Sequence, residues 1–181
     1  MRKRSSTGTE ARSVSNPNPE KERYSRSHCI KQMPKRVLIA DDEEGIVDAL
    51  TMRLEDEGFE CLVATDGAEA WRKICAATPD VVLLDIIMPG FSGWDVAEKM
   101  LGHSTTAKIP FIFLSAVDQV ADEVRGLEMG AFEFMVKPFD WILVMQTIRA
   151  AIAGQAAMSV DDRTRRIDAL KGSIRSAVTE R

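Results

Sequence analysis

The residues best suited to do chemistry in this chain sit at the ends of short apolar runs. Asp41, Asp42, Glu43 and Glu44 follow Val37-Leu38-Ile39-Ala40, and Asp85 closes Val81-Val82-Leu83-Leu84. Ser115 closes Phe111-Ile112-Phe113-Leu114, and Lys137 follows the stretch from Glu133 to Val136. Carboxylates gathered in one place repel one another and need a cation to stay ionised together. Oxygen donors without His or Cys suit a hard ion. Mg²⁺ fits best, because it keeps several waters, takes one or two carboxylates and accepts phosphate oxygens. A Lys ammonium and a Ser hydroxyl opposite such a site match a phosphoryl group: the cations neutralise its oxygens and the hydroxyl donates a hydrogen bond. A carboxylate at the centre can itself attack, giving an aspartyl-phosphate.

These residues need a scaffold that brings them together. The apolar runs are continuous rather than alternating, which indicates parallel strands buried on both faces. Two weaker strand candidates, Glu60 to Ala64 and Glu133 to Val136, join the three strong ones. Helical periodicity appears between them at Ile46, Leu50, Leu54; at Ala70, Ile74; at Val96, Met100; at Val120, Val124, Leu127; and at Ile142, Met145, Ile148, Ile152. Gly58, Pro79-Asp80 and Pro110 punctuate the joins. Five strands alternating with five helices predict an α/β doubly wound sheet with helices on both faces. Ligands of such sheets bind outside the carboxyl ends of the strands, near the switch in strand order. That is where Asp41, Asp42, Asp85, Ser115 and Lys137 fall.

The 181 residues, 45% hydrophobic and 29% charged, suit one globular domain plus flanking segments. Residues 1–34 read as a disordered basic tail. Up to residue 32 it holds eight basic side chains against Glu10, Glu20 and Glu22, with too little apolar surface to offset the entropy of ordering. Met33, just ahead of Pro34-Lys35-Arg36, is a second candidate translation start. The rest of the chain is net acidic, which argues against direct nucleic-acid binding by the folded part. The domain itself is expected over 35–154. Residues 155–181 are expected to form a short amphipathic helix capped by Ser159, with Val160, Ile167, Leu170, Ile174, Ala177 and Val178 on one side. That helix either packs on its own body or serves a dimer or partner.

Cys29, Cys61 and Cys75 form no Cys-x-x-Cys pair and leave an odd thiol in any pairing, which fits a reducing cytoplasm and gives no metal signature. No apolar run approaches the ~18 residues of a membrane span, and no apolar segment follows the basic N-terminus as in a secretory signal. A cytoplasmic protein without membrane insertion is expected. Trp71, Trp94 and Trp141 are scattered over three helices and read as packing or rim residues. His28 and His103 lack the helical setting of a phosphotransfer histidine.

Taken in order and spacing, Asp41-Asp42, Asp85 with Met88-Pro89-Gly90 and Gly93, Ser115-Ala116, Met129-Gly130-Ala131 and Lys137-Pro138-Phe139 resemble the receiver domains of two-component response regulators, the chemotaxis-regulator type included. The resemblance spans about residues 36–153. It implies a flavodoxin-like fold, a five-stranded parallel sheet of order 2-1-3-4-5 with five helices. It implies Asp85 as phosphoacceptor, charged from phosphohistidine on a sensor histidine kinase or a histidine phosphotransfer protein. Asp42 would then ligate Mg²⁺ directly and Asp41 through water, with Asp85 and the backbone carbonyl of Ile87 completing the protein ligands. Lys137 would pair with Asp85 and then with the phosphoryl oxygens, and its bond to Pro138 would be cis. Ser115 would move to hydrogen-bond the phosphoryl group, and Phe134 would be the switch aromatic that turns inward as it does. Phe134 lacks the hydroxyl of a tyrosine, and plain packing is the other reading of it. The fourth helix, fifth strand and fifth helix would form the output face, for a downstream protein or for self-dimerisation.

Two other functions compete. A phosphatase of the haloacid dehalogenase class also uses an Asp nucleophile on an α/β sheet, but it wants a second Asp two residues on, where this chain has Ile87. A phosphorylation-independent interaction domain is opposed by the complete acidic set. The resemblance thus implies a signalling module that catalyses only its own phosphotransfer and slow autodephosphorylation. It would stand alone or serve a phosphorelay, unless it is a piece of a larger regulator or hybrid kinase. Ile87, bulky and apolar beside Asp85, is expected to hinder hydrolytic water and lengthen the life of the phosphoryl group.

Overall fold

The computed structural model describes residues 33–116, 119–154 and 159–179. The expectations for the tail, residues 1–32, lie outside the described residues, as do the side chains of Ala177 and Val178. From Pro34 onward the chain forms one unit. Five strands, β1 (Arg36–Ala40), β2 (Glu60–Ala64), β3 (Val81–Asp85), β4 (Phe111–Ser115) and β5 (Glu133–Val136), run parallel in the order 2-1-3-4-5. The helices are α1 (Glu44–Asp56), α2 (Gly67–Ala77), α3 (Gly93–Gly102), α4 (Val120–Met129), α5 (Trp141–Ile152) and α6 (Val160–Thr179). Among the described residues, no helix is long and apolar enough to cross a membrane.

The apolar runs become central strands because both of their faces are covered. Every residue of β3 and β4 is buried. Successive side chains of a strand point to opposite faces, so each run feeds two cores. Leu38, Ala40, Val82, Leu84 and Phe113 pack with Ala70 and Ile74 of α2 and Val96, Ala97 and Met100 of α3. Val37, Ile39, Leu83, Ile112 and Leu114 pack with Leu50 and Leu54 of α1 and Val144, Met145 and Ile148 of α5. Strand β2 lies at the edge, with Cys61 to Val63 only half-buried, which is why its sequence signal is weaker.

Side-chain caps fix the starts of α2, α3, α5 and α6, while α1 and α4 begin without one. Asp66 accepts the Glu69 amide at 2.7 Å to begin α2, Ser92 and Asp95 form a reciprocal capping box on α3, and Asp140 accepts the Ile142 amide at 2.7 Å to begin α5. Replacing such a cap by alanine typically costs ~1 kcal/mol. Ser159 caps α6 as expected, accepting the Asp162 amide at 3.1 Å.

Two positions depart from the periodic reading. Ile142 is 64% exposed rather than part of the α5 stripe, which runs through Val144, Met145, Ile148 and Ala151. Val160, in the first turn of α6, is 81% exposed although it lies on the helical side of Arg163 and Ile167.

The start of α3 bears on the site directly. The Gly93 amide donates to the Ile86 carbonyl at 3.0 Å, and a β-carbon on Gly93 would lie 2.2 Å from the Asp85 carbonyl oxygen. No side chain fits there without moving the backbone of Asp85 or the whole helix. Gly93→Ala is therefore expected to destabilise the protein by about 2–3 kcal/mol, the upper range for overpacking. A urea midpoint equal to wild type would show that the two backbones have room to separate.

Candidate functional site

Register brings the strand ends level: Ala40 pairs with Leu84, Asp85 with Leu114, and Ser115 with Val136. The Asp41 amide donates to the Ala64 carbonyl at 3.1 Å, extending the β1–β2 ladder by one residue. This fixes a fully buried Asp41 side chain at the strand tip. Its Oδ1 accepts the Glu43 amide at 3.0 Å and turns the chain into α1. Asp42, one residue on, faces solvent. Asp85 ends β3 at 4% exposure, with Oδ1 accepting the Ile86 amide at 2.9 Å. Ser115 ends β4, also buried. The Lys137 amide donates to the Ser115 carbonyl at 2.7 Å, and the Lys137–Pro138 peptide bond is cis, as expected.

That backbone anchor aims the Lys137 side chain across the sheet edge. Its ammonium lies 2.7 Å from Asp41 Oδ2, 2.9 Å from Glu43 Oε1 and 3.6 Å from Asp85 Oδ1. Burial works against the charge on Lys137, but Asp41, Glu43 and Asp85 more than offset it and hold the ammonium above its ordinary value. For Asp85 the balance tips the other way. Burial, helped by Asp41 and Asp42, outweighs the pull of Lys137 and the Ile86 amide and leaves its carboxyl raised to about 6. Asp85 is thus ionised at neutral pH, but reluctantly.

Oxygens of Asp41, Asp42 and Asp85 lie within 4.8 Å of one another. The donor set fits a hydrated divalent cation. It is all oxygen, it carries more negative charge than the single Lys137 ammonium balances, and Asp42 opens it to solvent. The fully buried Asp41 Oδ2 makes no directional hydrogen bond among the described residues, so its contact with Lys137 is an ion pair. Beside the carboxylates lies an apolar groove of about 470 Å³, lined by Ile46, Leu50, Ala116, Pro138, Phe139 and Trp141 among others.

Asp41, Asp42, Asp85 and Lys137 converge, and Ser115 ends the neighbouring strand with its carbonyl bound to the Lys137 amide. Ile87 exposes its side chain (61%), while its neighbours Ile86 and Met88 are buried and hold the loop. Phe134 is buried, 6.3 Å from Phe113 between ring centroids. It fits because α4 carries Gly126, where a β-carbon would come within 3.0 Å of the Phe134 ring and 3.1 Å of the Phe113 ring. The Phe134 ring is therefore packed inward against Phe113 and α4. Glu43 is the participant that sequence reading did not single out: it appeared only as one of four consecutive acids, and 94 residues separate it from Lys137. Among the tryptophans, Trp94 packs tilted on Phe113 at 4.4 Å under the Arg125 guanidinium, Trp71 meets His103 edge-on, and Trp141 lies under Arg53. Cys61 and Cys75 are free thiols.

A parallel sheet of order 2-1-3-4-5 with a carboxylate cluster and one lysine at the carboxyl ends of its strands places a site suited to a divalent cation and a phosphoryl group where ligands of such sheets bind. Residues 37–149 match the response regulator receiver domain, and the chain belongs to that family of two-component signalling proteins. It is 40% identical over 116 residues to the sensory transduction protein RegX3 of Mycobacterium tuberculosis, covering 64% of this chain and 50% of that protein. It is 36% identical over 118 residues to the response regulator PleD of Caulobacter vibrioides, covering 65% of this chain and 26% of PleD. The chain thus spans between a quarter and a half of the length of these relatives. Among solved structures, the receiver domain of the Francisella response regulator 1452 superposes with a TM-score of 0.63 at 28% identity, covering 66% of this chain and 98% of that domain.

Proposed function

We propose that Asp85 is the phosphoacceptor and that this receiver takes its phosphoryl group from phosphohistidine on a sensor histidine kinase or a histidine phosphotransfer protein. The observation that carries the reading is a buried Asp85 carboxylate 3.6 Å from the Lys137 ammonium and clustered with Asp41 and Asp42. An Asp85 oxygen attacks phosphorus, the P–N bond to the donor imidazole breaks, and the imidazole leaves with the bonding pair and takes up a proton. Lys137 balances the charge gathering on the phosphoryl oxygens, and the Ser115 hydroxyl donates to one of them. Asp41, Asp42, Asp85 and the Ile87 carbonyl would hold Mg²⁺, which supplies further neutralisation of those oxygens when bound. The groove between α1 and the start of α5 gives an apolar partner surface beside the acceptor.

The test is labelling by a small phosphoramidate or acyl phosphate, with Mg²⁺ and with a chelator. Labelling is expected only with the metal; equal labelling in both would remove Mg²⁺ from the account. The α4, β5 and α5 surface is the proposed output face, toward a downstream protein or a second copy. In the same assay, the exposed Ile87 leads to a kinetic prediction. An Asn in its place offers a polar group that can orient water, so Ile87→Asn is expected to lose its phosphoryl group severalfold faster than wild type. Equal half-lives would show that Ile87 does not screen the site.

A further inference from the structure

The face of α6 that meets the domain mixes three basic residues with three apolar ones. Arg163, Arg166, Ile167, Leu170, Lys171 and Ile174 are half-buried, while Val160, Asp161, Asp162, Thr164, Arg165, Asp168 and Ala169 are exposed. Their spacing of three and four residues makes one stripe, and that stripe lies along α4. Arg163 donates to the Leu127 carbonyl at 3.2 Å. Lys171 pairs with Glu128 at 2.6 Å. Arg166 spans two elements: its Nε donates to Glu123 of α4 at 2.9 Å, and one terminal nitrogen donates to Glu133 of β5 at 2.9 Å. Glu133 immediately precedes Phe134. The carboxylates of Glu123, Glu128 and Glu133 thus form an acidic strip across two of the three elements of the proposed output face. No described residue of α6 is fully buried, and partly exposed ion pairs hold such a helix weakly enough to let it leave.

We propose that the α4–β5 strip is a docking surface for a basic amphipathic helix, and that α6 occupies it in cis. An external helix reaches the strip only by displacing α6, and must present Arg and Lys at the spacing of Arg163, Arg166 and Lys171. The proposal deepens the output-face reading and rests on it for the surface's role. The docking of α6 itself is testable without phosphodonor, so its failure is separate from any failure at Asp85.

The experiment is amide exchange followed by mass spectrometry on three full-length chains: wild type, Arg166→Glu, and Arg166→Glu combined with Glu123→Arg and Glu133→Arg. Residues 160–174 are expected to exchange about tenfold faster in Arg166→Glu than in wild type, and to regain protection in the charge-inverted chain. Peptides from β1 and β3 should exchange alike in all three, which separates undocking from misfolding. A synthetic peptide of residues 159–179 is then expected to protect α4 in Arg166→Glu and to bind wild type about tenfold more weakly, because cis occupancy reduces the free site. Identical exchange of α6 in wild type and Arg166→Glu, or equal peptide affinity for the two, would overturn the proposal.

Discussion

Lys137→Ala is expected to slow phosphoryl labelling about 100- to 1000-fold, the usual effect of removing one group that stabilises developing oxyanion charge. The same substitution is expected to tighten Mg²⁺ binding. Lys137 is the cation that Asp41, Glu43 and Asp85 share, so its loss leaves their charge for the metal alone to balance. In metal-free buffer at pH 7.5 the variant should also lose about 2–4 kcal/mol of stability, because deleting one partner of a buried pair leaves uncompensated charge behind. The Lys137 side chain is only 9% exposed, so solvent screens little of this. Part of the loss should return on adding Mg²⁺. Denaturant titrations with and without metal, calorimetric Mg²⁺ titration and a labelling time course read all three effects. Wild-type labelling in Lys137→Ala would remove the ammonium from the chemistry.

The second large effect has the opposite sign. Asp85→Asn is expected to stabilise the metal-free protein at pH 7.5 by about 1–2 kcal/mol, from roughly 1.4 kcal/mol per pKa unit discounted for relaxation of the site. The folded-state carboxyl titrates near 6 against an ordinary 3.8, so the folded protein prefers the neutral acid. The penalty for ionisation is absent below the unfolded value, grows as pH rises from there to about 6, and is complete above that. The advantage of Asn over Asp should therefore be small at pH 4 and full at pH 7.5. Saturating Mg²⁺ should erase it, because the wild type then gains binding energy that the variant cannot. A gain that shrank as pH rose would contradict the assigned burial of Asp85.

Strand ends were readable from sequence because a parallel strand buried on both faces must be a continuous apolar run, and its first polar residue marks the tip. Asp41, Asp85, Ser115 and Lys137 all follow from that rule, and the level register of the strands brings them together. Side-chain pairing across the tips was not readable in the same way. Glu43 joins Lys137 only because Asp41 bends the chain into α1 at that point, and nothing local distinguishes Glu43 from Glu44. Phe134 and Gly126 are a second case: the slot for the ring exists because a β-carbon is missing on a neighbouring helix, a relation with no periodic signature. The apolar positions of α6 announced a helix, yet the charged residues Arg163, Arg166 and Lys171 share its seating face with Ile167, Leu170 and Ile174. Arg166 finds Glu123 and Glu133, 43 and 33 residues away, through tertiary placement alone. Helical periodicity also failed at Ile142, since a first-turn residue beyond the Asp140 cap is not obliged to share the face of the turns that follow.

The most direct test of the account is intact mass after incubation with Mg²⁺ and a small phosphodonor, on wild type and on Asp85→Asn. Asp85→Asn keeps the shape of the site and removes only the nucleophilic oxygen. Wild type is expected to gain one phosphoryl group and Asp85→Asn none. A label that persists in Asp85→Asn, or a wild-type chain that takes up no label, would contradict the assignment of Asp85.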